Sequence, residues 1–231
     1  MISRLDLTAI QPKVIVEVGN SVGGSSGLLK KRYPDATVLT MDATLSFLQY
    51  AKQNQQVDKD YLCASAEQLP LKEYDIDLVF ANLFLPWCHD INAVLLEWQR
   101  VLKPNGLLMF STLGPDTLRE VPSHLLQLID MHNVGDAMVH AGFLDPVMDV
   151  DYLTLTYRSR AQLIHELQAT GSLPSDIVWL DSALLPDAEN LFPVTYEIVY
   201  GHAWGQGAKP GFSADSEGEV RIPLSAIKRG K

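Results

Sequence analysis

The stretch VIVEVGNSVGG, residues 14–24, decides the fold. Its first five residues are apolar and β-branched apart from Glu17, and unbroken hydrophobicity of this kind suits a parallel strand buried on both faces. The run stops at Gly19 and passes through small residues into a helical pattern over 23–33, with Lys30, Lys31 and Arg32 in the last turn, where cations complement the helix dipole. Pro34-Asp35 ends it. The same alternation then repeats: a strand over 37–41 closing at Asp42, a helix over 44–56, a strand over 61–64 and a strand over 76–81 closed by Asn82. An amphipathic helix over 90–102 follows, with Ile91, Val94, Leu95, Trp98, Val101 and Leu102 at helical spacing. Lys103-Pro104-Asn105-Gly106 reads as a helix stop and turn before a strand over 107–111. Strands and helices at this cadence predict right-handed βαβ units, hence an α/β fold with a doubly wound, mostly parallel sheet in three layers.

The second half is less regular. Residues 132–141 are expected to be helical and to end at Gly142, 147–157 to form a strand exposed on one face, 159–169 a helix, and 196–204 a late aromatic-rich strand. One domain over 1–204 and a flexible tail over 205–231, opening on a Gly/Ser/acid-rich segment, are expected, with no internal repeat. The 231 residues suffice for one generous core. A formal net charge of −10 argues against a nucleic-acid backbone binder, which needs clustered Lys and Arg, and against an anionic membrane surface. Residues 1–6, MISRLD, carry charge where a signal peptide would be apolar, and no apolar run reaches 18 residues. Cys63 and Cys88 form neither a disulfide framework nor a metal-ligand spacing. A cytoplasmic setting is the expectation, and Trp87 and Trp98 read as core anchors.

Ligands of open parallel sheets bind beyond the carboxyl ends of the strands. Those ends carry residues 17–24 (EVGNSVGG), then Asp42, then Ser65-Ala66-Glu67, then Asn82-Leu83-Phe84. Small residues after the first strand let a ligand approach the backbone and meet amide N–H groups at a helix start. Asp42, 19 positions after Gly23, can accept hydrogen bonds from both hydroxyls of a ribose, or it can simply cap the next helix. Taken one by one, Glu67 suits a solvated loop and Asn82 a turn. Four such insertions at consecutive strand ends together predict a nucleoside pocket.

The order of EVGNSVG (17–23), MDAT (41–44), ASAEQLPL (64–71), DIDLVFANLFLPWC (75–88) and LLEWQRVLKPNGLLMFST (95–112) resembles the class I S-adenosylmethionine-dependent methyltransferases. STLGPDTLREV (111–121), residues 130–157 and TYEIVYGHAWG (195–205) resemble a narrower family, the malonyl-acyl-carrier-protein O-methyltransferases of biotin synthesis. They are similar as well to a mitochondrial respiratory complex I assembly factor on the same fold. The resemblance implies S-adenosylmethionine as cofactor and an acyl-carrier-protein thioester as substrate. Gly19, Ser21 and Gly23 would then pass beneath its methionine part and ribose, with Glu17 near the amino group. Asp42 would hold the ribose, Ala43 or Thr44 would flank the adenine, and Ser65 and Ala66 would sit at its edge. Asn82, Leu83 and Phe84 would line the transfer side. A cation should hold the acceptor carboxylate; Arg119 and Arg158 are the candidates, each equally suited to a surface ion pair.

Two positions depart from the family pattern. Ser21 stands where it usually has glycine, and Ser65 where it commonly has aspartate, so the hydroxyl accepts from the adenine amine without charge assistance. About thirteen residues precede the first strand, where the family has a longer segment with a tyrosine-containing lid. Two other readings stay open: a degenerate member acting through protein contacts, and a nucleotide-dependent oxidoreductase. The second fits less well, since GNSVGG (19–24) is not G-x-G-x-x-G.

Overall fold

The computed structural model describes residues 1–19, 24–54, 60–121, 126, 128–174 and 185–206. Seven strands form one sheet in the order β3-β2-β1-β4-β5-β7-β6. β1 (Val14–Val18), β2 (Thr37–Asp42), β3 (Asp60–Cys63), β4 (Ile76–Asn82) and β5 (Leu102–Leu113) run parallel. β7 (Phe192–Trp204) is antiparallel to β5 and also to the edge strand β6 (Leu144–Tyr157). The chain leaves β1 toward β2 on one side and returns to β4 on the other, so the switch of strand order lies at β1.

Alternate strand residues feed two apolar layers. Ile15, Val38, Leu78, Phe80, Leu107 and Met109 face α1 (Gly24–Arg32) and a 3-10 turn over Ile2–Leu7, packing with Leu29 and Leu5. Val16, Val18, Met41, Val79, Ala81, Leu108 and Phe110 face α3 (Ile91–Val101) and α4 (Met131–Ala141). Trp98 of α3 is fully buried at the centre of that layer; burying such a ring contributes roughly 2–3 kcal/mol. α2 (Leu45–Asn54) lies beside β2 and buries only Leu48 and Ala51. The three layers are those expected. Asp90 caps α3 by accepting from Asn92 and Ala93 N–H, and Gly142, in the left-handed region at φ 89°, ends α4.

β7 and β6 outrun β5. Leu113, the last residue of β5, pairs with Ile198, while Phe192 pairs with Tyr157. Residues 192–197 and their partners 152–157 therefore project past the carboxyl edge as a two-stranded arm. A second core fills it, built from Leu113, Leu118, Tyr157 and Val194 with Leu163 and Leu167 of α5 (Arg160–Ala169), and Leu83 packs against it.

Three expectations need correction. Residues 103–106 do not form a separate turn: β5 begins at Leu102, paired with Ile76, and its register slips before Leu107. Asn105 takes up the slip at φ 61° and donates its N–H to Gly205 O at 2.9 Å. The 147–157 strand starts at Leu144 and is mostly exposed because it is the sheet edge. Trp87 is 53% exposed and no core anchor. Of the tail over 205–231, Gly205 is fastened through its N–H to Gly106 O at 2.8 Å, and 207–231 lie outside the described residues.

Candidate functional site

The strand ends line up. Val18 pairs with Met41, and Gly19 donates its N–H to Met41 O at 2.9 Å, so Gly19 and Asp42 close adjacent parallel strands. Asp42 pairs with Cys63 of β3, and Val18 with Ala81 of β4. The ends of β3, β2, β1 and β4 thus form one row, about 14 Å from first to last at the usual strand spacing.

Gly19 sits at φ 70°, in the left-handed region open to glycine. A Cβ there would fall 2.3 Å from the Phe84 ring, which occupies the β4 side of the crevice and lies 6.1 Å from the Trp98 ring. The glycine is required twice over, by its backbone and by this close approach. Ser21 and Gly23 fall outside the described residues. Glu17 is buried, its carboxylate accepting from the Ser26 hydroxyl, which also lies 3.2 Å from Thr40 Oγ1. A strand acid thereby fastens the first turns of α1 under the sheet.

Asp42 closes its strand at the rim of the sheet, yet it is buried. It is 9% exposed, and its Oδ1 accepts from Thr44 N–H at 2.8 Å, an Asx turn that leads into α2. Ala43 is exposed beside it. Ser65 is exposed and Ala66 buried; Ser65 Oγ accepts Glu67 N–H at 3.2 Å. Their loop is fixed from α3. Glu97 accepts Leu69 N–H at 2.6 Å, and Arg100 donates to Leu69 O at 3.1 Å and Leu71 O at 2.9 Å while bonding Glu97. Arg100 is the main reason the Glu97 carboxyl is held below its usual range, with Leu69 N–H adding to it against burial. Sequence reading passed over this pair. Its signal was an i,i+3 acid–base couple on an otherwise uncharged helix.

At the end of β4, Asn82 is exposed and Leu83 and Phe84 are half-buried. Leu83 has φ 53°, a costly conformation for a branched side chain. Its N–H donates to Ser111 O at 2.9 Å and Ser111 Oγ at 3.1 Å, and that hydroxyl donates to Asn82 Oδ1 at 3.0 Å. Ser111 is a third residue the sequence did not single out.

The structure does not bring Arg119 and Arg158 to this row. Arg119 follows Leu118, whose N–H donates to Thr195 O of β7 at 2.8 Å, and its exposed guanidinium meets Glu120 at 3.4 Å. Arg158 follows the last residue of β6 and is exposed. Both therefore belong to the arm, two to three strand spacings from β4. The 114–120 loop is held on β7 by Glu197, 7% exposed, which accepts Asp116 N–H at 2.7 Å, and by Glu120, which accepts Thr195 Oγ1 at 2.6 Å. A separate cleft of about 250 Å³ lies by the Ile2–Leu7 turn, where Arg4 pairs with Asp149 and stacks on Tyr200 near His202. Burial, then the Arg4 charge, holds the His202 imidazole below its usual pKa. Among the described residues, none of the strand-end row lines that cleft.

The row suits an elongated ligand with a hydroxyl-bearing centre. The row sets Ser65 and Ala66 at one end, the buried Asp42 in the middle, and the Gly19 backbone with the Phe84 ring at the other end. A family model described as "Methyltransferase domain" matches residues 16–110. A malonyl-[acyl-carrier protein] O-methyltransferase of Gallionella capsiferriformans is 37% identical over an alignment of 257 positions, gaps included, covering 97% of this chain and 87% of that protein. The enzyme of the same name from Laribacter hongkongensis is also 37% identical, covering 95% and 85%. Among solved structures, the YcgJ protein of Bacillus subtilis superposes with a TM-score of 0.65 at 13% identity, covering 90% of this chain and 98% of that one, a likeness of fold alone.

Proposed function

Since this chain belongs to the malonyl-[acyl-carrier protein] O-methyltransferase family and is an S-adenosylmethionine-dependent methyltransferase of the class I fold, we propose that it methylates the free carboxylate of a malonyl thioester carried on acyl carrier protein, in biotin synthesis. The observation that carries the cofactor site is the adjacency of Gly19 and Asp42 at the ends of paired strands.

When bound, S-adenosylmethionine supplies an electrophilic methyl on a sulfonium. The chain's own part is placement. Asp42, which accepts Thr44 N–H, would hold the ribose hydroxyls, and Ala43 would stand beside the adenine. Ser65 and Ala66 meet the adenine edge on a loop clamped by Glu97 and Arg100. Gly19, open at φ 70°, would offer its backbone to the methionine part and ribose; Ser21 and Gly23, which would share that role, lie outside the described residues. Glu17 acts through Ser26, holding the helix start that follows. Leu83 and Phe84 present an apolar wall on the transfer side with Asn82 at its rim, limiting water at the reacting centre. The attacking oxygen belongs to a carboxylate already ionised at neutral pH, so no general base is needed; orientation and charge placement provide the rate.

Arg119 and Arg158, candidates for the cation on the acceptor carboxylate, stand on the arm beside the row and so would meet the acceptor rather than the cofactor. Methyl esterification removes the malonyl charge, so the product resembles an ordinary acyl primer. The basic cluster 30–32 ends α1 at the edge of the sheet opposite the row, where Lys30 donates to Ala36 O at 2.8 Å and Arg32 pairs with Asp6. Lys228, Arg229 and Lys231 lie outside the described residues.

The test is transfer of labelled methyl from S-adenosylmethionine to malonyl-acyl carrier protein, followed by mass. A gain of one methyl on the malonyl carboxylate is expected, with none on acetyl-acyl carrier protein. S-adenosylmethionine binding without transfer to the malonyl thioester would refute the acceptor.

A further inference from the structure

The turn after β4 is held by a residue that no part of the site reading requires. Asn82 and Ser111 are paired across β4 and β5, so their side chains lie on the same face. Ser111 is 1% exposed, and its hydroxyl is used in both directions: it accepts Leu83 N–H at 3.1 Å and donates to Asn82 Oδ1 at 3.0 Å. Ser111 O takes the same Leu83 N–H at 2.9 Å. One serine therefore holds the backbone of Leu83 and the side chain of Asn82 together. Leu83 needs holding, since it stands at φ 53° with neither the freedom of glycine nor the local side-chain bond of asparagine. Packing against the second core secures its side chain but does not select that φ. Strain of this sort persists where the surroundings over-determine it.

The strain has a geometric result. With Leu83 in the left-handed region the chain turns sharply off the strand end, and Phe84 reaches back over Gly19. An extended residue 83 would carry the chain onward past the edge. We propose that Ser111 is a positioning residue for methyl transfer, acting through Asn82 and Leu83 to set the wall against which the sulfonium and the acceptor carboxylate align. This rests on the reading above, in which 82–84 line the transfer side. Ser111 touches neither cofactor nor acceptor.

Positioning and mere support differ in what they move. Misorientation of reacting groups lowers turnover without a matching loss of affinity. Ser111→Ala is expected to lower kcat at saturating S-adenosylmethionine and malonyl-acyl carrier protein at least tenfold. The calorimetric Kd for S-adenosylmethionine should stay within threefold, and Ser111→Thr, which keeps the hydroxyl, should recover most of kcat. Asn82→Ala is expected to lower kcat too, and Asn82→Ala/Ser111→Ala to lose no more than the worse single variant, because both cut one link. An active wild type with Ser111→Ala within twofold in kcat per folded protein would overturn the proposal. So would a kcat loss matched by an equal weakening of cofactor binding, or losses that multiply in the double variant. A wild type that binds S-adenosylmethionine but leaves malonyl-acyl carrier protein unmethylated would instead refute the parent reading and take this inference with it.

Discussion

Gly19→Ala is the most informative perturbation of the fold at the site. The left-handed backbone at φ 70° should cost alanine about 1–2 kcal/mol. The new Cβ would fall 2.3 Å from Phe84 Cδ2 and 3.0 Å from Cγ, so the ring must move, and it is backed by Trp98. Overpacking of this kind costs about 1–3 kcal/mol. The single variant should therefore lose about 2–5 kcal/mol in all. The two parts are separable. In a Phe84→Ala background the ring is gone, and what remains is the backbone part with the milder approach to the residue-84 Cβ at 3.2 Å. A double-mutant cycle should show a coupling of about 1–3 kcal/mol, the pair being more stable than the sum of the singles predicts. Urea unfolding followed by circular dichroism gives all four corners, with Cm falling and m unchanged. Additivity to within about 0.5 kcal/mol would show that Phe84 does not lie on Gly19, and the description of the crevice would be wrong.

Three further outcomes are expected. The Asp77 carboxyl is held below its usual range: burial opposes this, but the Lys103 ammonium and the Val14 and Lys13 N–H groups outweigh it. A depressed carboxyl contributes stability above its unfolded pKa, about 4, and loses it as pH falls through the folded value. Wild type should thus lose urea stability below pH 4 more steeply than Asp77→Asn; parallel curves would remove Asp77 from the account. Arg100→Ala should loosen the 64–71 loop and raise the Kd for S-adenosylmethionine severalfold by calorimetry, and an unchanged Kd would mean that the clamp does not serve the adenine side. Arg158→Ala should raise KM for malonyl-acyl carrier protein with the cofactor Kd unmoved; a shift in Kd instead would place Arg158 at the row.

The strand ends were legible because each strand announces itself twice, by its apolar run and by the residue that stops it. Gly19, Asp42 and Asn82 are such stops, and the parallel order places their ends side by side. Burial at those ends was not legible. Asp42 looks exposed in sequence because it closes a strand, yet Thr44 folds back on it. Trp87 looks like core because it is tryptophan, yet it sits on a short turn outside the sheet, its ring 3.5 Å from where a Cβ on Gly171 would be. Contacts between distant segments leave no periodic trace. Ser111 with Leu83, Arg100 with the 64–71 loop and Glu197 with the 114–117 turn each join residues 28 or more positions apart. Asn105 shows the converse: a local turn signal that the sheet absorbs as an irregularity within β5.

Calorimetric titration of S-adenosylmethionine into wild type and Asp42→Ala tests the assignment of the row itself. Two hydrogen bonds accepted by a carboxylate are worth about 1.5–3 kcal/mol each, so the substitution should raise Kd at least tenfold while leaving a cooperative unfolding transition. Equal affinity in the two proteins would contradict the account, since the adenosyl group would then lie somewhere other than across the ends of β1 and β2.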